Sequence, residues 1–258
     1  MSYKYLMFEV KDAIGTITLN RPRKRNALSL ELLKELKSLL AAIEEKKDTR
    51  VVIIKGAGKV FSAGHDISQL VGHEMAYYKE IFDTCIEVMK KIQRLPQPVI
   101  ARVHGVATAA GCQLVAACDL AVAEEGTLFG TPGVEIGLFC STPAVPLVRA
   151  IGRKRALEML LTGRLITAVE AERYGLVNRV VPLDTLDAET NALAGKIAEA
   201  SPFTVGIGKE AFYTQVNMTD FQAYDYAKQV IVLNNFAEDA KEGLSAFLEK
   251  RKPVWKGR

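Results

Sequence analysis

The chain has 258 residues, 49% of them hydrophobic and 25% charged, enough to bury a large core as one α/β domain or two smaller ones and too apolar for a disordered chain. A formal net charge of +4, with Lys and Arg spread evenly, argues against a nucleic-acid partner; it suits a phosphorylated small molecule and equally a plain solvated surface. No stretch of twenty residues is free of charged and polar breaks, which argues against a membrane span.

Tyr5 to Val10 and Ile14 to Leu19 alternate around Lys11-Asp12, which predicts a β-hairpin. A helix is expected next, with Ser29 as its N-cap and Leu32, Leu33, Leu36, Leu39, Leu40 and Ile43 on one face. Val51 to Ile54 reads as a buried strand. A second helix is expected over Met75 to Arg94, where Tyr78, Ile81, Phe82, Cys85, Val88, Met89 and Ile92 repeat at three- and four-residue spacing, and Pro96 and Pro98 stop it. Val99 to Val103 is another apolar strand, and Ala109 to Cys118 a short helix of small residues. Asp119 to Ala123 and Thr127 to Thr131 complete the strand-rich part.

From Pro143 onward the expected elements are helical, including Lys154 to Leu161, Ala168 to Tyr174 and Asp187 to Glu199, separated by Gly163, Gly175 and Pro182. The pattern is a mixed β/α core followed by an all-helical tail with an apolar stripe at Val230, Ile231, Val232 and Leu233. Without a Gly/Ser linker, the tail is expected to be docked. Cys85, Cys112, Cys118 and Cys140 form no C-x-x-C pair and read as reduced core thiols. The opening Met1-Ser2-Tyr3-Lys4-Tyr5 lacks a basic segment followed by an apolar one. A soluble protein of a reducing compartment is therefore expected, in the cytoplasm or, after loss of a presequence, in the mitochondrial matrix.

Two phosphate-loop readings fail on spacing. Gly56-Ala57-Gly58-Lys59 is followed by Val60, where a nucleotide loop needs Ser or Thr to hold Mg²⁺, and Gly105 to Gly111 lacks the second glycine of a dinucleotide fingerprint. More informative are Phe61-Ser62-Ala63-Gly64-His65-Asp66-Ile67 after one strand and His104-Gly105-Val106-Ala107-Thr108-Ala109-Ala110-Gly111-Cys112-Gln113 after another. Small side chains let a ligand approach the backbone, and a helix opening near Ala109 leaves its first N–H groups unpaired. Two such donors converging on one oxygen form an oxyanion hole.

These two segments resemble the paired oxyanion loops of the enoyl-CoA hydratase/isomerase (crotonase) superfamily. Asn20-Arg21-Pro22, Asn26-Ala27-Leu28, Ser62-Ala63-Gly64-His65-Asp66, His104-Gly105, Phe129-Gly130-Thr131-Pro132, Gly137-Leu138, Leu161-Thr162-Gly163 and Phe247 to Pro253 occur in the family's order. The resemblance implies an α/β fold of the crotonase type: a ββα spiral core over 1–198 and a C-terminal helical region over 199–258, forming one continuous unit in a homotrimer or hexamer. It implies an acyl-CoA thioester as ligand, with no cofactor beyond the coenzyme A of the substrate and no metal. The donors it implies are the amides of His65 and Ala110.

The same resemblance places Lys24 and Arg25, with Arg23, near the nucleotide end of coenzyme A, where a solvated turn is the other reading. Ala27, Ala63, Ile67, Gly111 and Gly133 would border the substrate. Asp66 would lie beside it as an N-cap or loop-fixing residue. His73 and His104 read as structural. The family commonly has glycine at Ala109 and Ala110 and alanine at His65, although a similar Ser-Ala-Gly-His-Asp segment occurs in its methylmalonyl-CoA decarboxylase branch.

Hydratases of the family use two glutamates, and the matching positions here are Gln113 and Gly133. A glutamine amide does not accept a proton near neutral pH and glycine has no side chain, so hydration is not expected from them. Glu135 could replace the lost acid or be a surface carboxylate; Cys140, Ser141 and Thr142 could shape the pocket or serve another chemistry. Three functions follow: an enzyme acting through a thioester enolate, an acyl-CoA binder or regulatory subunit without turnover, or a decarboxylase.

Overall fold

The computed structural model describes residues 3–258, so Met1 and Ser2 of the N-terminal segment lie outside it. Strands β1 (Leu6–Lys11) and β2 (Ile14–Leu19) form the expected antiparallel hairpin. Its turn is Asp12-Ala13, one residue beyond the expected one, and both residues have positive φ, as a two-residue turn matching the strand twist requires. Helix α1 (Leu30–Lys46) starts at Ser29, whose side chain accepts from the Leu32 amide at 3.3 Å. Strand β3 (Val51–Gly56), helix α2 (Met75–Arg94) and strand β4 (Val99–Val103) follow, then β5 (Val106–Thr108), α3 (Ala110–Ala117), β6 (Leu120–Glu124) and β7 (Leu128–Gly130).

The second half contains α4 (Ser141–Ile151), α5 (Arg153–Thr162), β8 (Ile166–Thr167), α6 (Ala168–Tyr174), β9 (Arg179–Val181), α7 (Leu186–Ala198), α8 (Pro202–Gln215), α9 (Asp220–Asn234) and α10 (Glu238–Glu249). The expected all-helical tail is therefore interrupted. β9 pairs in parallel with β6 and closes the main sheet, whose order is β1-β2-β3-β4-β6-β9, while β8 joins a small sheet ordered β5-β7-β8. Strands of two or three residues carry too little alternation to show in sequence.

Along the central strands, alternate side chains enter opposite cores. Val52, Ile54, Val99, Ala101 and Val103 pack with α1, α2 and α3, whereas Val51, Ile53, Ile100 and Val122 pack beneath α7 with Leu186 and Ala194. Burial on both faces explains why β3 and β4 read as continuous apolar runs.

Helix α8 is tied to this core by a buried polar cluster. Lys209 Nζ donates to Asp119 Oδ2 at 2.6 Å and to the carbonyls of Ile92 and Gln97 at 2.8 and 3.0 Å. Tyr213 Oη donates to Asp119 Oδ1 at 2.8 Å, and the Val99 amide to Asp119 Oδ2 at 2.6 Å. Among the described residues, no helix is long and apolar enough to cross a membrane.

Candidate active site

The chain leaves β3 through a loop braced by Asn26, buried and at positive φ. Its Nδ2 donates to the carbonyls of Ala57 and Val60, both at 2.8 Å, and its Oδ1 accepts from the Arg21 amide at 3.0 Å. Ser62 Oγ donates to Asn26 O at 2.9 Å and accepts from the Gly64 amide at 3.3 Å. On one side, the Ala63 amide donates to Arg25 O at 3.0 Å and the Leu28 amide to Gly64 O at 2.7 Å. On the other, Ser62 exchanges backbone hydrogen bonds with β5, its N donating to Val106 O at 3.1 Å and its O accepting from Thr108 N at 3.0 Å. Sequence reasoning gave Asn26 a place in a motif but missed this bracing role, which joins groups more than thirty residues apart.

The brace presses Gly64 against the start of α3. A Cβ built on Gly64 would lie 2.9 Å from Ala109 Cβ, 3.0 Å from Thr108 O and 3.3 Å from Ala110 N. The peptide preceding His65 is thereby set beside the Ala110 amide. Helix α3 has no side-chain cap, and among the described residues neither the His65 nor the Ala110 amide donates to a protein acceptor. Gly111 is needed for packing: a Cβ there would sit 2.3 Å from Ser62 O, so it seats α3 on the loop instead of bordering open space.

Ala109 turns the chain into α3 with φ 48° and ψ −119°, a conformation that favours glycine, and its amide donates to Gly130 O at 2.8 Å. Such backbone strain costs about 1–3 kcal/mol. Ala109→Gly is accordingly expected to stabilise the fold by about 1 kcal/mol in chemical denaturation, after the entropy lost to glycine in the unfolded chain. An unchanged or lower midpoint would show that no strain is relieved.

The polar residues around these amides are not carboxylates poised for proton transfer. Gln113, buried on α3, accepts through Oε1 from Thr142 Oγ1 at 3.3 Å and from Cys85 Sγ at 3.9 Å. Burial pushes the Cys85 and Cys112 thiols up to about 12, so neither is a nucleophile at neutral pH. At Gly133 a Cβ would meet Leu138 O at 2.2 Å and Cys140 Sγ at 2.7 Å, so the Cys140 thiol occupies the place from which a side chain would emerge. Burial raises the Cys140 pKa, against the pull of its hydrogen bond with the Gly133 backbone. Glu135 is exposed and turned toward the end of α5, where its Oε1 would lie 2.7 Å from a Cβ on Gly163.

Asp66 caps the 3₁₀ turn Ile67–Gln69, accepting from Ser68 N at 3.3 Å, Ser68 Oγ at 2.7 Å and Arg21 Nη2 at 2.9 Å. Burial alone would raise its pKa, but the Ser68 and Arg21 interactions outweigh that and hold it below the usual carboxylate range. Arg23, Lys24 and Arg25 are exposed beside the loop, Ala27 is buried, Ala63 is half-buried and Ile67 is exposed. His65 Nδ1 lies 3.3 Å from Leu28 O, and its ring meets Phe82 edge-on with centroids 5.3 Å apart. His104 has both nitrogens engaged, Nδ1 with Arg102 Nη1 at 2.9 Å and Nε2 with Gly58 O at 2.8 Å. Cavities of about 820 and 1060 Å³ lie elsewhere, one lined by Phe8, Lys55 and Glu124 and the other by Arg94, Phe203 and Tyr213. The candidate site is thus defined by its two loops.

Two loops thus bring two amides without protein acceptors close together on an α/β core, an arrangement able to donate to one oxygen. The family model for enoyl-CoA hydratase/isomerase matches residues 9–258, and the chain belongs to that family, with the crotonase fold. Mitochondrial enoyl-CoA hydratase domain-containing protein 3 of Rattus norvegicus is 50% identical over 246 residues, covering 95% of this chain and 82% of the relative. The crystal structure of the human enoyl-CoA hydratase domain-containing protein 3 superposes with a TM-score of 0.95 at 48% identity, covering 98% of this chain and all of that one. An enoyl-CoA hydratase structure from Mycobacterium smegmatis gives a TM-score of 0.95 at 46% identity, covering 98% and 99%.

Proposed function

We propose that the protein binds an acyl-CoA thioester and polarises its carbonyl with the His65 and Ala110 amides, stabilising the enolate that develops when the α-carbon gains charge. The observation that carries this reading is the seating of Gly64 against Ala110 N at the uncapped start of α3. Aimed N–H groups in a water-poor site stabilise developing charge without reorganising. Arg23, Lys24 and Arg25 lie next to the loop and supply positive charge for the phosphates of coenzyme A. The bound thioester supplies its own coenzyme A. Among the described residues, no group of three His, Cys, Asp or Glu side chains could hold a metal.

Hydration is not the reaction favoured. Gln113 holds the Thr142 hydroxyl instead of accepting a proton, position 133 has no side chain, and Glu135 is turned toward Gly163. Those same observations support a second reading, an acyl-CoA binder or regulatory subunit without turnover. A decarboxylase would need no base, since departing CO₂ generates the enolate, but it would have to seat a carboxylate beside His65.

The test is to incubate the protein with crotonyl-CoA, following binding and loss of the conjugated thioester absorbance, beside Gln113→Glu. Thr142 and Cys85 donate to Gln113 Oε1 and would donate equally to a glutamate oxygen, so this variant fits the site. Binding without rapid hydration is expected in the natural protein, with hydration rising by about 10²-fold or more in the variant. Failure to bind crotonyl-CoA would sink the proposal, and rapid hydration by the natural protein would overturn the account of the missing acids. Gly133→Glu is expected to disturb the backbone at Leu138, so a double variant would not report cleanly.

A homotrimer or hexamer is supported by the C-terminal region. No residue of α9 is buried, and Phe221, Phe247 and Leu248 are more than three-quarters exposed, an apolar surface that needs a covering partner. Four free thiols suit a reducing cytoplasm or the mitochondrial matrix, and the relatives named as mitochondrial favour the matrix.

A further inference from the structure

The imidazole of His65 has a hydrogen-bonding nitrogen that the fold leaves unmatched. A carbonyl oxygen can only accept, so with Leu28 O facing Nδ1 at 3.3 Å the proton resides on Nδ1 and Nε2 presents its lone pair. Nε2 is sealed from solvent and has no partner among the described residues. Burial pushes the imidazole pKa down, against a smaller upward pull from the Leu28 hydrogen bond, so the ring is neutral at pH 7. Buried polar atoms are nearly always paired, so an unpaired one beside a candidate site calls for a partner that the described residues do not supply.

Position narrows the ligand atom. Nε2 is within about 6 Å of its own backbone amide by covalent geometry. An oxygen held by that amide would lie about 2.9 Å from it. The second and third carbons of an acyl group bound there fall within reach of the ring. Phe82 covers the ring edge from α2, and one turn further along the same helix the Cys85 thiol reaches Gln113, so His65, Phe82, Cys85 and Gln113 border one region.

We propose that His65 contacts the acyl group through Nε2, which accepts a hydrogen bond from a hydroxyl on its second or third carbon and makes the site selective for hydroxyacyl over saturated thioesters. This rests on the acyl-CoA reading above. A lone pair at Nε2 repels a carboxylate, so the same geometry disfavours malonyl-type acyl groups.

Calorimetric titration of the natural protein, His65→Phe and His65→Gln with 3-hydroxybutyryl-CoA, butyryl-CoA and malonyl-CoA tests it. The natural protein is expected to bind the hydroxyacyl ester about tenfold more tightly than the saturated one, the ratio one added hydrogen bond supplies. His65→Phe should bring that ratio near one, and His65→Gln, whose amide oxygen can accept, should restore part of it. Butyryl-CoA binding with no preference for the hydroxyl, an unchanged ratio in His65→Phe, or tighter binding of malonyl-CoA than of butyryl-CoA would overturn the His65 proposal alone. Binding of none of the three esters would overturn the acyl-CoA reading with it. If His65→Phe does not fold, a ratio near one in the natural protein still overturns the proposal, and an unchanged ratio in His65→Ala does the same.

Discussion

If the protein acts through a thioester enolate, Ala110→Pro is expected to lower kcat/KM by about 10²–10³-fold, the loss seen when one oxyanion donor is removed. Ala110 is the first residue of α3, where proline fits because no intrahelical hydrogen bond is due there and its fixed φ suits a helix start. Proline also pushes the residue before it to the extended region, which Ala109 does not occupy, so Ala110→Pro is made and compared in an Ala109→Gly background, where no Cβ meets the proline ring. The substitution therefore removes the N–H and leaves the helix, which circular dichroism should confirm. Ala110→Gly retains the N–H and serves as the control. Equal kcat/KM in a folded Ala110→Pro variant would mean that this amide does not face the reacting oxygen.

The second large effect is structural. Asp119→Ala is expected to destabilise the fold by about 3–5 kcal/mol, because it leaves the Lys209 ammonium buried without its counter-charge. It also strips partners from Tyr213 Oη and the Val99 amide. The direction of the pKa shifts says how the pair is balanced. Burial raises Asp119 despite Lys209 at 2.6 Å, and burial lowers Lys209 despite Asp119, so desolvation outweighs attraction on both sides. Breaking the pair should hence be far more harmful than replacing both members. An Asp119→Leu/Lys209→Met double variant is expected to recover most of the lost stability in urea denaturation. Equal loss in the single and double variants would show that the cluster acts through its other hydrogen bonds.

The long amphipathic helices were legible because their signal is repeated many times: α2 begins and ends where its apolar spacing and the following prolines place it. Short strands were not, since Val106–Thr108 and Arg179–Val181 are fixed by pairing with Leu128–Gly130 and Val122–Glu124 and carry no alternation long enough to read. The two loops stood out in sequence through their small residues, and the family followed from ordered motifs. What could not be read was tertiary. The hydrogen bonds of Asn26 reach thirty-one and thirty-four residues ahead, and Lys209 meets Asp119 across ninety. Nothing local announces that Ala109 sits at positive φ, that Cys140 fills the space beside Gly133, or that Glu135 turns toward Gly163. Each depends on where a distant segment packs.

The most direct test of carbonyl polarisation is the infrared spectrum of crotonyl-CoA labelled with ¹³C at the thioester carbonyl, recorded free and bound. Two donors on one oxygen weaken the C=O bond, so the labelled band is expected to move to lower wavenumber on binding and to move less in Ala110→Pro. A bound thioester whose carbonyl band stays at its free position would contradict an oxyanion hole at His65 and Ala110.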